Sequence, residues 1–401
     1  VNGQKPLQVE LAKDLGRHLR AGHPWVFRQA LVRPPKAPPG EVIDVVSGGR
    51  FVARGLYDPL SPIAVRLYSL DSGEAIDRAL FARRLAQAVR MREGLIDPTL
   101  TDSYRLVHGE SDFLPGVVLD RYGTFAVLKL YSAALTPHRD ALVEAVREAV
   151  PDLTGVLGRD EVGREDDDGG EGSAQVLWGE SPPPLLQMHE NGLHFLVDLR
   201  RGQKTGTFLD QRENRAALRR YARGREVLNC FSYTGGFSVN AAVAGSGSVL
   251  SLDSDGDAID LARRNFELNA IDPARHEFMI GDVFKWLGQW KQSGRRFDLI
   301  VLDPPAFAKS QQKVPAALAG YAALNRAALQ ILRPGGILCT ASCSARVSPE
   351  AFAGAVAEAA GKLGQRLQLL EERGQPPDHP VSVQFAQGRY LKFFVYRLPE
   401  A

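Results

Sequence analysis

A chain of 401 residues is too long for a single small core and suggests two or three domains. Lys and Arg number 49 against 47 Asp and Glu, so overall charge identifies no partner and any nucleic-acid surface must be a local patch. Three cysteines without a C-x-x-C pair exclude a disulfide framework and give no reason to expect a metal, and no apolar run or leader-like start suggests a membrane partner or secretion, so a reducing, cytoplasmic setting is expected.

The first stretch is locally basic. Lys5, Lys13, Arg17, Arg20, Arg28, Arg33 and Lys36 face few acids, and His18 and His23 interleave with Trp25 and Phe27. Cations attract phosphates and rings stack on bases, so the patch suits RNA; a solvated face over a core Trp25 and Phe27 is the bland alternative. Residues 41–46 and 50–54 are β-rich runs joined by Ser47-Gly48-Gly49, a hairpin signal, and residues 63–70 form another strand. Gly22-His23-Pro24-Trp25-Val26-Phe27 followed by these strands resembles a PUA domain, a pseudobarrel that binds structured RNA. Residues 75–94 carry apolar residues at helical spacing. Strands are expected over 104–108, 116–122 and 125–130, a helix over 137–150 with Pro137 at its start, and strands over 153–157 and 175–178. The acidic, glycine-rich run 165–172 reads as a solvated loop, and Ser181-Pro182-Pro183-Pro184 as a stiff linker. The expected domains are therefore 1–75, β-rich and PUA-like; 76–184, small α+β; and 185–401.

Asn191-Gly192 between residues 185–190 and 193–198 is a type I′ hairpin signal. A polar loop, residues 202–212, then leads to a helix around 213–221, with Asp210 a candidate N-cap. From Val227 onward strands and helices alternate: strands over 227–230, 248–253, 278–282, 297–303, 336–341 and 366–371, and a final antiparallel strand over 390–397. This alternation implies an α/β fold, a doubly wound sheet covered by helices on both faces. Its first unit is a strand, a glycine-containing turn (Phe231-Ser232-Tyr233-Thr234-Gly235-Gly236), a helix, and a strand ending in Asp253. That is a nucleoside-binding pattern, but the glycines do not match G-x-G-x-x-G and there is no phosphate-cradling G-x-x-x-x-G-K-[ST]. A ligand with a ribose and no phosphate fits better, and S-adenosylmethionine is one.

In such sheets ligands lie beyond the carboxyl ends of the strands, occupied here by Asn229, Asp253, Asp282, Asp303 and Cys343. Asp253 is placed to accept from both ribose hydroxyls and Asp282 to meet an adenine amino group, although each acid alone could be a helix cap. In Asp303-Pro304-Pro305-Ala306-Phe307 the prolines lack N–H donors and stiffen a turn that presents the Asp303 carboxylate, with Phe307 available to stack on a base. Cys339 lies in an apolar strand. Cys343, between Ser342 and Ser344 at the strand's end, is a candidate nucleophile; the alternative is a small buried residue.

These stretches resemble the class I S-adenosylmethionine-dependent methyltransferases. With Glu110-Ser111-Asp112-Phe113-Leu114-Pro115-Gly116 and the 202–212 loop added, the whole chain resembles the three-domain, PUA-containing bacterial 23S rRNA cytosine-5 methyltransferases. The resemblance implies a Rossmann-like methyltransferase domain preceded by the PUA and small α+β domains. It implies a cofactor site of Gln211, Arg212, Asn229, Phe231, Tyr233, Thr234, Gly235, Asp253, Asp282, Asp303 and Pro304, with residues 204–212 closing over it. It makes Cys343 the nucleophile and Asp303 the group that binds the cytosine edge, with ribosomal RNA as partner. Another group of RNA cytosine-5 methyltransferases has a second cysteine after the Asp-x-Pro turn; Ala306 stands there, and no base for the carbon-5 proton is apparent. An RNA guanine or adenine N-methyltransferase with Cys343 a bystander, and a non-catalytic rRNA-binding assembly factor, are the competing readings. The oligomeric state stays open, with a homodimer among the expectations.

Overall fold

The computed structural model describes residues 5–160, 174–308 and 310–400. The acidic run 165–172 lies outside the described residues. The chain divides into two compact units, Val1–His189 with Val197–Leu209 and Pro377–Gly388, and Glu190–Leu196 with Asp210–Pro376 and Arg389–Ala401.

Two five-stranded sheets build the first unit. One has β1 (Leu7–Glu10), β2 (Trp25–Phe27), β3 (Val42–Ser47), β4 (Arg50–Tyr57) and β5 (Ile63–Ser69) in the order β1-β3-β4-β5-β2. Its core is aliphatic, with Val9, Val26, Ile43, Val45, Ala64 and Val65 buried. The expected hairpin is β3–β4, turning through Gly48 and Gly49. The other sheet has β6 (Ser103–His108), β7 (Val117–Tyr122), β8 (Phe125–Leu130), β9 (Gly155–Asp160) and β10 (Gln175–Gly179), in sequential order. Helices α1 (Gly16–Arg20), α2 (Arg78–Arg92) and α3 (Arg139–Ala149) complete this unit, and α2 packs against α3. The helix expected at Pro137 begins earlier, as a 3-10 turn over Ala133–His138, because Ser132 accepts from the Ala134 N–H and starts the turn. In the hairpin of β11 (Leu186–Glu190) and β12 (Leu193–Val197), Asn191 and Gly192 take φ of 49° and 77°, the left-handed pair a type I′ turn requires.

The second unit holds the doubly wound sheet. Strands β13 (Glu226–Cys230), β14 (Ser248–Asp253), β15 (Glu277–Ile280), β16 (Phe297–Leu302), β17 (Leu332–Ser342), β18 (Gln368–Arg373) and β19 (Lys392–Arg397) lie in the order β15-β14-β13-β16-β17-β19-β18. β13 to β17 are parallel neighbours. Their apolar runs suit strands buried on both faces, and Leu228, Leu250, Ile300, Leu302 and Leu338 join one core. Order reverses between β14 and β16 on either side of β13, so the ligand crevice of an open α/β sheet falls there. β19 runs antiparallel to both β17 and β18, as expected for the final strand. The helices are α4 (Arg212–Ala222), α5 (Gly236–Val243), α6 (Gly256–Leu268), α7 (Val283–Ser293), α8 (Val314–Leu329) and α9 (Pro349–Gly361).

The first unit buries charge as well as apolar surface. Arg92 is 2% exposed and grips Asp112 through two N–H donors, both at 2.7 Å. It also donates to the carbonyls of Arg105 (3.0 Å) and Asp378 (2.7 Å). Removing one member of such a pair leaves the other charge buried without compensation. Asp112→Ala should therefore lower unfolding stability by about 3–5 kcal/mol, read as a lower denaturant midpoint for this unit; a midpoint equal to wild type would show that the pair contributes nothing.

Candidate active site

The β13–α5 turn is strained by design of its sequence. Phe231 and Tyr233 adopt left-handed φ of 59° and 47°, and Gly235, at the start of α5, one of 79°. Such a conformation is ordinary for glycine but disfavoured for residues with a Cβ, and it persists where the surroundings over-determine it. The Tyr233 N–H donates to Asp253 Oδ2 at 2.7 Å and the Asp255 N–H to Asp253 Oδ1 at 3.1 Å. A carboxylate has about four acceptor sites, so each Asp253 oxygen keeps capacity for a further donor. Asp253, Phe231, Tyr233 and Thr234 are all of intermediate exposure. Asn229 is different: it is 1% exposed, and its Nδ2 donates to Ser238 Oγ at 2.9 Å, tying β13 to α5. Asp282 is exposed, and one of its oxygens caps α7 by accepting from the Lys285 N–H at 2.8 Å.

Asp303 follows β16 directly. Gln211 Nε2 donates to its Oδ1 at 3.0 Å, and Asn214 Nδ2 orients that glutamine through Gln211 Oε1 at 2.7 Å. Burial pushes the Asp303 carboxyl up to about 7, the negative charge of Asp210 adds to the rise, and Arg215 and the Gln211 hydrogen bond oppose it. Asp210 is not a helix cap. Gln211 holds the N-cap position of α4 and no side chain caps it, because Asp210 Oδ2 instead accepts from the Tyr390 hydroxyl at 2.7 Å. The other Asp210 oxygen is buried without a hydrogen-bond partner. Arg212 is 1% exposed and donates to Glu213 Oε1 at 2.9 Å.

The loop that the resemblance places over the cofactor divides between the units. Its part over residues 204–209 belongs to the first, where Arg159 donates to the carbonyl of Lys204 and, just before the loop, to those of Arg200 and Gly202, and Thr205 Oγ1 donates to Asp120 at 2.6 Å. Asp210, Gln211 and Arg212 belong to the second.

The three cysteines separate by burial. Cys230 and Cys339 are both fully buried, and burial pushes both thiols far up. Cys343 is partly exposed, immediately past the end of β17. Around it Ser342 Oγ donates to the Tyr321 hydroxyl (3.0 Å), Ser344 Oγ to the Ala308 carbonyl (3.0 Å), and Lys392 Nζ to the Ser344 carbonyl (2.5 Å). Phe307 stacks on Tyr321 at 4.6 Å between centroids, so one of its faces is already taken. Sequence reasoning missed Asp210, Tyr321, Tyr390 and Lys392 as site residues. Of these only Lys392 carries a signal, as a charged residue opening the aromatic and aliphatic run 393–396 of β19.

A doubly wound sheet whose strand ends present a carboxylate with spare acceptor capacity, a buried acid and a partly exposed thiol fits a nucleoside-dependent group-transfer enzyme. The family profile described as S-adenosylmethionine-dependent methyltransferase matches residues 154–397, and a PUA-like domain profile matches residues 9–70. The ribosomal RNA large subunit methyltransferase I of Shigella boydii is 43% identical over 394 residues, covering 98% of this chain and 99% of its own. A solved S-adenosylmethionine-dependent methyltransferase from Streptococcus mutans superposes with a TM-score of 0.86 at 26% identity, covering 98% of this chain and 100% of that one. A second methyltransferase structure of equal likeness is a complex with SAH. The chain belongs to the S-adenosylmethionine-dependent methyltransferase family.

The residues present fit that cofactor. The spare acceptor capacity of Asp253 suits a ribose diol, and the unpartnered Asp210 oxygen suits a donor or a positive charge. Hydrogen bonds to a charged group contribute about 1.5–3 kcal/mol, so Asp253→Ala should weaken S-adenosylmethionine binding by roughly 10- to 100-fold; calorimetry giving an unchanged affinity in the folded variant would remove Asp253 from the site. Asp303 supplies a pH test. Its folded value lies above its unfolded one, so the folded state holds the extra proton and stability falls as pH rises from about 4 to about 7. Asp303→Asn cannot ionise, so its melting temperature should gain on the wild type across that window and hold a constant offset above it. A constant offset from pH 4 upward would mean that the carboxyl titrates normally.

Proposed function

We propose that this protein methylates carbon 5 of a cytosine in large-subunit ribosomal RNA through a covalent adduct to Cys343. The observation that carries the reading is the accessible Cys343 at the same sheet edge as Asp303, with the other two cysteines sealed in the core. The name of the Shigella boydii relative supports ribosomal RNA as substrate. The basic patch supports an RNA surface: Lys5, Lys13, Arg17, Arg20, Arg33 and Lys36 are exposed, whereas Arg28 is committed to the carbonyls of Asp58, Pro59 and Ser61. Separate sheets support reading the first unit as two modules, residues 1–75 and 76–184, with Leu56 and Tyr68 of the first packing into the core of the second.

S-adenosylmethionine supplies an electrophilic methyl group on a sulfonium. Asp253 would hold the ribose, the 231–235 turn would lie beside the nucleoside, and Asp282 would meet the adenine amino group. The Cys343 thiolate adds to carbon 6 of the cytosine, forming the S–C6 bond and pushing the C5=C6 pair toward carbon 5 and the ring. Asp303, poised near neutrality in its ionisation, accepts from the exocyclic amino group and donates to the ring nitrogen as negative charge arrives there. Carbon 5 then takes the methyl group, and the C–S pair stays with the departing sulfur. Loss of the carbon-5 proton to a base restores C5=C6 and expels Cys343 as thiolate.

RNA carrying 5-fluorocytosine should be trapped on the protein, because fluorine cannot leave as a cation after methyl transfer. Cys343→Ala should abolish methylation and trapping while retaining cofactor affinity, and Cys339→Ala should keep both. A denaturing gel beside a methyl-transfer assay decides it: full activity in Cys343→Ala would point instead to N-methylation with Cys343 a bystander.

A further inference from the structure

Lys392 is one of the least expected residues of the second unit. It is 2% exposed, in a strand whose other residues up to Tyr396 are aromatic or aliphatic. A buried ammonium is costly to hold and needs compensation. Its donors show where that compensation lies. Nζ donates to the Ser344 carbonyl at 2.5 Å and to the Tyr390 carbonyl at 2.9 Å. An ammonium has three donors and no acceptor, so one remains after these two. In the β17–β19 ladder Lys392 stands directly across from Ser342. The lysine is therefore opposite the residue before Cys343 and hydrogen-bonded to the residue after it. No acidic side chain bonds to it among its described hydrogen bonds and ion pairs.

We propose that Lys392 is a positioning residue for Cys343: its ammonium clamps the Ser342–Ser344 turn and supplies the positive charge that holds the sulfur as a thiolate. The inference rests on reading Cys343 as the nucleophile. Burial pulls Lys392 down to about 8, and the charge of Cys343 pulls it back up, so each group favours the charged form of the other. Other titratable groups near the pair are Tyr321 on α8 and Asp303 after β16, with Tyr390 hydrogen-bonded to Asp210. Burial holds Tyr321 neutral and up from its usual value, so it brings no competing charge at neutral pH. Asp303 and Asp210 are acids and would disfavour a thiolate, whereas Lys392, hydrogen-bonded to the Ser344 carbonyl, is a cation that favours it. When the S–C6 bond forms, the charge leaves sulfur for the ring; when the bond breaks, it returns opposite the same ammonium. Lys392 thus aids both the supply of the nucleophile and its departure, without exchanging a proton with the substrate.

The test is the pH profile of Cys343 alkylation by iodoacetamide in the full-length protein, read on the Cys343 peptide by mass spectrometry. In Lys392→Met the profile should move to higher pH, with the rate at pH 7 falling about tenfold as the thiolate fraction falls, and converging on wild type at high pH. Lys392→Arg, which keeps the charge, should restore most of the wild-type midpoint. Methyl transfer by Lys392→Met should fall in kcat at pH 7 and recover as pH is raised, with cofactor affinity unchanged. A residue that only packs would lower melting temperature and leave the alkylation midpoint where it was, and superimposable profiles for wild type and Lys392→Met overturn the proposal. Should Lys392→Met not fold, the thiolate absorbance of the wild type decides alone: a Cys343 midpoint at or above the ordinary value of about 8.5 overturns it. Fluorocytosine trapping keeps this separate from the function itself. A shifted midpoint without trapping in the wild type upholds the lysine–thiol pair and removes only the nucleophile role, whereas trapping with an unshifted midpoint removes the lysine's role and keeps the nucleophile.

Discussion

The antiparallel ladder between β17 and β19 is the constraint on which the chemical end of the sheet depends. Parallel neighbours bring carboxyl ends together, so β13, β14, β16 and β17 can offer that edge only their last residues and the turns beyond them. An antiparallel neighbour brings its beginning to that same edge. Because Ser342 pairs with Lys392, the start of β19 stands beside the end of β17, and groups fifty residues apart in sequence face one thiol. A one-residue slip would turn Lys392 to the opposite face. Pairing of Leu338 with Tyr396 and Thr340 with Phe394, buried residues throughout, resists that slip.

Acid placement follows a second rule, that similar side chains acquire different chemistry from their surroundings. Asp253, hydrogen-bonded by two backbone N–H groups, is an acceptor held in place. Asp282 spends one oxygen on a helix terminus. Asp303, desolvated and facing the charge of Asp210, is the one that sits near neutrality in its ionisation. A carboxyl raised in this way is suited to acid–base work at neutral pH.

Much of this was legible in the chain. Apolar runs bounded by glycine and proline gave the parallel strands, and the acids after them marked the ligand edge, because strand ends are local features. The type I′ turn at Asn191-Gly192 was readable for the same reason. What escaped depends on pairings across long stretches of sequence. Asp210 looked like a helix cap, since cap chemistry is local and its true donor, Tyr390, lies 180 residues away. Asn229 ends its strand as expected, but the link its Nδ2 makes to Ser238 on α5 was not readable from the strand alone. Nor does composition reveal that residues 377–388 leave the second unit for the first, where Asp378 bonds the backbone N–H of Arg105 at 2.9 Å.

The left-handed Phe231 and Tyr233 carry a cost of about 1–3 kcal/mol each, stored in the folded protein. Glycine at Tyr233 would relieve it, whereas at Phe231 it would also remove a side chain packed against the core of the sheet. For a thermostability screen blind to methylation the opening in this turn is therefore Tyr233, where relief of strain competes with the backbone geometry that aims its N–H at Asp253. Durability and binding geometry compete there at one backbone dihedral, and an engineer seeking a hardier enzyme should begin elsewhere in the chain.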